Sequence, residues 1–219
     1  MSEQQSSSEL RHGLVIAVDG PAASGKGTIA RALAGHFGLP HLDTGTLYRA
    51  VALSLWRWGG DPGNEFEALR ACHDLAVDTD DPELRSEAVS TIASRISAYS
   101  SVRSALLERQ RDFATQDGGA VLDGRDIGTV IAPDADVKLF VTASPEIRAE
   151  RRLRELQQRG VTAHLEEVLN DIHARDERDS RRESAPLRQA EDAVLLDTSE
   201  LSVAEAIARA IAIVENHTS

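Results

Sequence analysis

Nine residues constrain this chain more than any others: Gly20, Pro21, Ala22, Ala23, Ser24, Gly25, Lys26, Gly27 and Thr28 follow a short apolar run, residues 14–18, that ends in Asp19. The run is unbroken and rich in β-branched side chains, the pattern of a strand buried on both faces of a parallel sheet. Beyond Thr28, Ile29, Leu33 and Phe37 recur at helical spacing, and Gly38 supplies a helix stop. Strand, glycine-rich turn and helix in that order make a phosphate-binding P-loop. Its glycines let backbone N–H groups point inward, the helix N-terminus adds positive potential, and Lys26 brings a mobile charge to the β- and γ-phosphates of ATP. The strict pattern has Ser or Thr directly after the lysine. Here Gly27 takes that place and Thr28 follows one residue later. That departure removes the usual direct magnesium ligand and leaves Thr28 as the nearest hydroxyl.

Four further strands are expected at residues 41–43, 120–123, 137–142 and 193–197. Between them lie helical patterns over residues 46–58, 65–118 and 146–182. The second is interrupted at 59–63 before it begins and at 78–82 within it, with a helix expected over 83–98. The third splits into two helices at 160–162. Strands alternating with helices predict an α/β fold of the P-loop NTPase type, three layers α/β/α around a five-stranded parallel sheet, with ligands beyond the carboxyl ends of the strands. At 219 residues with 41% hydrophobic content, about 70% of the unfolded surface can be buried, enough for one core and a small appended lobe. One domain is expected over residues 13–219, preceded by a disordered tail over 1–12.

A formal net charge of -12 argues against binding a nucleic acid polymer, which needs basic stripes to displace counterions. No apolar run approaches the length of a membrane span. Cys72 is the single cysteine, so neither a disulfide framework nor a cysteine metal site is available, and a reducing, cytoplasmic setting is expected. The histidines show no metal-ligand spacing, and no hydroxyl or thiol nucleophile has an evident base. A guanine-nucleotide switch would need Asn-Lys-x-Asp, yet no asparagine precedes either lysine, Lys26 or Lys138.

Arginines stand at the remaining strand ends. Arg49 follows the second strand and is expected in the first turn of its helix, where a cation opposes the helix dipole unless an anion sits there. Arg125 lies between Asp123 and Asp126 after the third strand, in a turn that would hold charges toward a ligand or form an ordinary salt-bridged loop. Arg175, Asp179 and Arg182 stand at i, i+4 and i+7, one face of a helix expected over 171–182.

Taken together, the loop, Asp43-Thr-Gly-x-x-Tyr-Arg49, Val102-Arg103, Gly124-Arg-Asp126-Ile-Gly128, Ala174-Arg-Asp-x-Arg-Asp179, Ala185-Pro-Leu187 and Leu196-Asp-Thr-Ser199 resemble the bacterial cytidylate kinase family. The match runs over nearly the whole chain after about Gly13. The Gly-Lys-Gly-Thr form of the loop is that of nucleoside monophosphate kinases. The resemblance implies transfer of the γ-phosphoryl group of ATP to CMP or dCMP by a monomer, with magnesium held by phosphates and waters and Thr28 within its reach. The alternative is another P-loop small-molecule kinase acting on UMP, a different monophosphate or a shikimate-like acceptor. By resemblance, Arg49 and Arg125 bind the CMP phosphate and Ser94, Arg103 and Asp126 surround the cytosine. Arg175 and Asp179 approach the sugar and Arg182 the base, and Thr44 and Tyr48 complete the acceptor site. The catalytic set is Lys26, Arg125, Arg151 and Arg152, the last two on a short lid near 148–162. The acceptor-binding lobe is expected near 60–100. The family pattern would place a longer β-sheet insertion after Leu75; here residues 76–82 lead almost directly into helix, so the insert is trimmed.

Overall fold

The computed structural model describes residues 13–73, 75 and 77–218. The tail expected over residues 1–12 lies outside them. The strands are β1 (Val15–Asp19), β2 (His41–Asp43), β3 (Ala120–Gly124), β4 (Val137–Thr142) and β5 (Val194–Asp197), each within a residue of its sequence expectation. They form one sheet in the order β2-β3-β1-β4-β5, with every pairing parallel. Chain order reverses at β1, which lies between β3 and β4. That reversal opens a crevice at its carboxyl end, where open α/β sheets bind ligands.

Alternation along β1 divides the core between the two faces. Ile16 and Val18 pack with Ile29 and Leu33 of α1 (Lys26–Phe37), which follows the loop. Ala210 and Val214 of the last helix, Val203–Thr218, join that face. Ala17 points the other way, toward Leu122, Ile127 and Ala114. Helices on both faces give the three layers that parallel sheets require to bury their strands.

A second hydrophobic cluster lies beside the sheet. It joins α2 (Thr44–Arg57), α3 (Glu65–Arg70), α4 (Glu87–Ile96) and α5 (Ser100–Ala114) through Leu55, Val51, Val89, Ile96 and Val102. Here the helical stretch is more broken than its pattern implies. The helix expected over 83–98 is a 3-10 turn, Pro82–Arg85, followed by α4, because the Ser86 hydroxyl accepts the Val89 N–H at 3.2 Å and restarts the helix as a cap. Among the described residues no strand lies outside the five-stranded sheet. The remaining helices, α6 (Pro145–Gln158) and α7 (Leu165–Ser180), form an antiparallel pair split at Gly160. One element has no sequence counterpart: a π-helical turn, Ile127–Ile131, directly after β3.

Candidate active site

The loop between β1 and α1 is held tightly from behind. A Cβ at Gly20 would stand 2.0 Å from the Val141 carbonyl oxygen of β4, so only glycine fits where the chain leaves the sheet. Ala23 sits at φ 59°, a conformation uncommon for a residue with a side chain and typical of strained ligand loops. The Ser24 hydroxyl is buried with no hydrogen-bond partner among the described residues, as expected of a group whose partner is a ligand. Arg151 braces the loop, donating to the Ser24 carbonyl at 3.2 Å and to the Thr198 carbonyl at 2.7 Å. A cavity of about 260 Å³ opens beside it, lined by Ser24, Gly25, Thr28, Arg151, Arg152 and Leu201 among others.

Lys26 lies at the first position of α1, its Nζ 3.4 Å from the Pro21 carbonyl. Burial lowers its pKa to about 8, and the nearby Arg125 guanidinium pushes the same way. Asp123, Asp43 and Asp179 pull in the opposite direction. A lysine so placed gains from any polyanion that enters.

The second cavity, about 110 Å³, adjoins the other side of the β1 end. Thr44, Tyr48 and Arg49 from α2, Ser94 from α4, Arg103 from α5, Arg125 and Asp126 after β3, and Arg175, Asp179 and Arg182 all line it. Thus the ten residues assigned to the acceptor share one cavity, although they come from four helices, a turn and a loop.

Several placements and pairings differ from the sequence reading. Arg49 stands in the second turn of α2, because the helix begins at Thr44; the dipole argument therefore loses most of its force, which is confined to the first turn. What marks Arg49 instead is that it is half-buried yet makes no hydrogen bond or ion pair among the described residues. Arg125 is held by neither flanking carboxylate; its Nε donates to Asp179 at 2.8 Å. Asp126 pairs with Arg103, both nearly buried, and Asp123 meets His41 Nε2 at 2.7 Å. Arg182 lies beyond the end of α7 and reaches the cavity by folding back onto the Asp179 carbonyl, 3.3 Å from its Nε. Arg152, expected over ATP, is engaged by Glu87 of α4 and by Glu155.

Electrostatics in this cavity are set by the arginines. Burial alone would raise the Asp179 carboxyl, but Arg125 and Arg182 outweigh it and hold the group below its ordinary value. Arg182 Nη2 is buried without a hydrogen bond among the described residues and lies 3.5 Å from Asp179 Oδ1. The Arg103 guanidinium sits 5.7 Å from the Tyr48 ring centroid, a cation–π arrangement that fixes the floor of the cavity.

Three contributors carried no assigned role in the sequence reading, although Arg178 stands within Ala174-Arg-Asp-x-Arg-Asp179 and Arg148 opens the expected lid. Arg178 donates to the Ser94 hydroxyl, Arg148 is pinned to Asp176 and to the Ala22 carbonyl, and Asp19 accepts from the turn after Asp126. Arg178 and Arg148 lie among many charges on α6 and α7, where composition gives no sign of which side chains turn inward.

Along nearly its whole length the chain is similar to known proteins. Residues 16–216 match the family described as cytidylate kinase. The chain is 60% identical over 203 residues to a cytidylate kinase of Xanthobacter autotrophicus strain Py2, covering 92% of this chain and 97% of that one. It is 58% identical over 203 residues to a cytidylate kinase of Azorhizobium caulinodans, covering 92% and 98%. Among solved structures, a gluconokinase from Sinorhizobium meliloti 1021 superposes with a TM-score of 0.50 at 17% identity, covering 94% of each chain, a likeness of fold alone.

Proposed function

The chain belongs to the cytidylate kinase family, and from that membership we propose how its two facing pockets divide the reaction: ATP occupies the loop pocket, CMP or dCMP occupies the arginine pocket, and the γ-phosphoryl group passes between them. What supports this division is that Arg125, which lines the acceptor cavity, lies near enough to Lys26 of the loop to add to the larger effect of burial in lowering the lysine pKa. Asp43, Asp123 and Asp179 offset these charges in part, and the transferring phosphoryl group would add the anion that bridges the two cations.

The roles follow from the contacts. Loop N–H groups and Lys26 hold the β- and γ-phosphates. Arg49, which makes no hydrogen bond or ion pair among the described residues, and Arg125 take the acceptor phosphate and keep its oxygen in line with the donor. The Arg103–Asp126 pair presents a donor and an acceptor together to the cytosine edge, with Ser94 and Arg182 beside it. Arg175 and Asp179 face the sugar. Arg151 and Arg152 neutralise charge on the moving group, Arg152 after release from Glu87. No side chain needs to become a nucleophile, because phosphoryl transfer depends on positioning and charge neutralisation.

Magnesium fits beside the loop. Among the described residues no cluster of three or more His, Cys, Asp or Glu could hold an ion directly, while Asp123 and Asp43 both act on Lys26 and Thr28 is exposed at the start of α1. These three would hold the ion through its water, with the phosphates as direct ligands. When bound, it supplies further neutralisation of phosphate charge.

Residues near 60–100 form the acceptor-binding lobe and those near 148–162 the lid. Contacts from Arg152 to Glu87 and from Arg159 to the Arg85 carbonyl at 3.0 Å already join the two. Their closure would exclude water that competes with CMP for ATP. Both pockets come from one chain, so the enzyme works as a monomer. No helix among the described residues is long and apolar enough to cross a membrane; with a single free thiol, Cys72, and nucleotide substrates, it acts in the cytoplasm.

The direct test is an acceptor panel with magnesium-ATP at equal concentrations. CMP and dCMP are expected to be turned over faster than AMP, GMP, UMP and shikimate, and negligible turnover of both cytidine nucleotides would sink the assignment. A second expectation concerns pH. Since Lys26 loses its proton as pH rises through about 8, kcat/KM for ATP should be level below that point and fall roughly tenfold per pH unit above it. Initial rates at saturating CMP would show this; a level profile to about pH 10, near the ordinary lysine value, would remove Lys26 from ATP capture.

A further inference from the structure

Asp19 is the last residue of β1 and is 5% exposed. No motif explains it, since it precedes the phosphate loop and the cavity linings do not include it. Its two carboxylate oxygens are fully engaged. Oδ1 accepts the Ile127 N–H and Oδ2 the Gly128 N–H, both at 2.8 Å. Those amides open the π-helical turn immediately after Arg125 and Asp126. The fit is close: a Cβ at Gly128 would stand 3.0 Å from the Lys138 side chain and 3.5 Å from Asp19 Oδ2. A carboxylate receiving two successive N–H groups fixes the direction of the chain that enters them, as an anion does in a backbone nest.

We propose that Asp19 is a positioning residue for the acceptor: through the Ile127 and Gly128 amides it holds the turn that aims Arg125 and Asp126 into the acceptor cavity, so that the strand leading into the donor loop also sets the acceptor site. This rests on the reading of Arg125 and Asp126 as acceptor-binding groups. An ionised carboxylate serves both N–H groups best: an amide must turn its NH2 toward one of them, and a neutral acid meets one of them with a hydroxyl oxygen, a weaker acceptor than a carboxylate oxygen.

Burial raises the Asp19 pKa to about 6, against the lowering effect of the Gly128 and Ile127 N–H groups; Asp126 raises it further and Lys26 lowers it. Lys138 of β4 also faces this corner through its methylenes. With a folded pKa above the ordinary 3.8, the charged form opposes folding at neutral pH, and that penalty is relieved as pH falls through about 6. Asp19 therefore subtracts stability where the site works, which is the sign expected of a residue kept for positioning.

The test compares the full chain with Asp19→Asn and Arg125→Ala by calorimetric titration with CMP and with magnesium-ATP. At pH 8, Asp19→Asn is expected to weaken CMP binding about tenfold or more, leave magnesium-ATP binding within about twofold, and melt no lower than wild type. At pH 5, where wild-type Asp19 is itself mostly neutral, the CMP affinity ratio between wild type and variant should shrink to about threefold or less. The phosphate of CMP also ionises near pH 6, but it does so for both proteins and cancels in that ratio. A ratio below about twofold at pH 8, or one that does not change with pH, overturns the proposal. Arg125→Ala separates the two readings: if it too binds CMP like wild type, the acceptor assignment fails, whereas weakened binding in Arg125→Ala alone removes only the role of Asp19. Should Asp19→Asn not fold, hydrogen exchange on the wild type decides. Protection of the Ile127 and Gly128 amides, corrected for intrinsic rate, should drop between pH 7 and 5 while that of Leu122 in β3 holds; equal behaviour overturns the proposal.

Discussion

Replacing Arg125 with alanine is expected to lower kcat/KM for CMP by about 30- to 1,000-fold, a loss of about 2–4 kcal/mol of transition-state stabilisation. The side chain is only 26% exposed, and its Nε is already oriented by Asp179, so its remaining nitrogens are aimed before the acceptor arrives. Preorganised charge in a closed site acts far more strongly than in water, and most of the loss should therefore fall on transfer to CMP. Magnesium-ATP binding should persist, since Arg125 lines the acceptor cavity and is not among the residues lining the loop pocket. Part of the effect will come from Asp179, left with Arg182 at 3.5 Å as its remaining ion-pair partner. Arg125→Lys should recover some of the rate but not all, because an ammonium keeps the charge without the planar fork. Steady-state kinetics with CMP varied would check this. Turnover of Arg125→Ala within about threefold of wild type, a loss below ~1 kcal/mol, would contradict the phosphate-binding role.

Arg103→Ala should have the largest effect on stability. Its guanidinium pairs with Asp126, and the two side chains are 9% and 6% exposed. Breaking a buried pair from one side strands the other charge, which costs about 3–5 kcal/mol. For a domain of about this size that corresponds to roughly 6–20 °C in Tm. The loss of the cation over the Tyr48 ring adds to it. The companion experiment is Arg103→Met with Asp126→Leu. Removing both charges should restore much of the melting temperature, as buried pairs are often replaceable by apolar residues, while CMP turnover stays impaired. Recovery of stability without recovery of turnover would show that the pair is retained for the acceptor and not for the fold. If the single variant melted within about 2 °C of wild type, the buried-pair argument would be wrong.

Much of the architecture is legible in the chain because it depends on local pattern. The unbroken apolar run before Gly20, the helical spacing of Ile29, Leu33 and Phe37, and the stop at Gly38 each concern neighbours within a turn or a strand. So do the five short strands, whose side chains alternate or bury on both faces regardless of what pairs with them. The loop and its lysine are equally local, and by themselves they point to a polyphosphate bound after β1. Small punctuators escape such reading when their signal is ambiguous: Ser86 looks like any polar residue in a helical stretch, yet its hydroxyl caps α4 and divides the helix.

The acceptor site was legible as a set of residue types, through resemblance, but not as a set of partnerships. Sequence proximity suggested that Arg125 answers to Asp123 or Asp126; the fold gives it to Asp179, 54 residues away. Arg103 and Asp126 lie 23 residues apart, and Asp19 and Ile127 lie 108 apart. Among the described residues Arg49 keeps no ion-pair partner at all, a fact that only tertiary packing can create. Backbone hydrogen bonding and side-chain period act over a few residues and are written directly in the sequence. The pairing of buried charges depends on which strand lies beside which and how far each helix is turned, and the parallel crossovers of this sheet bring those distant segments together.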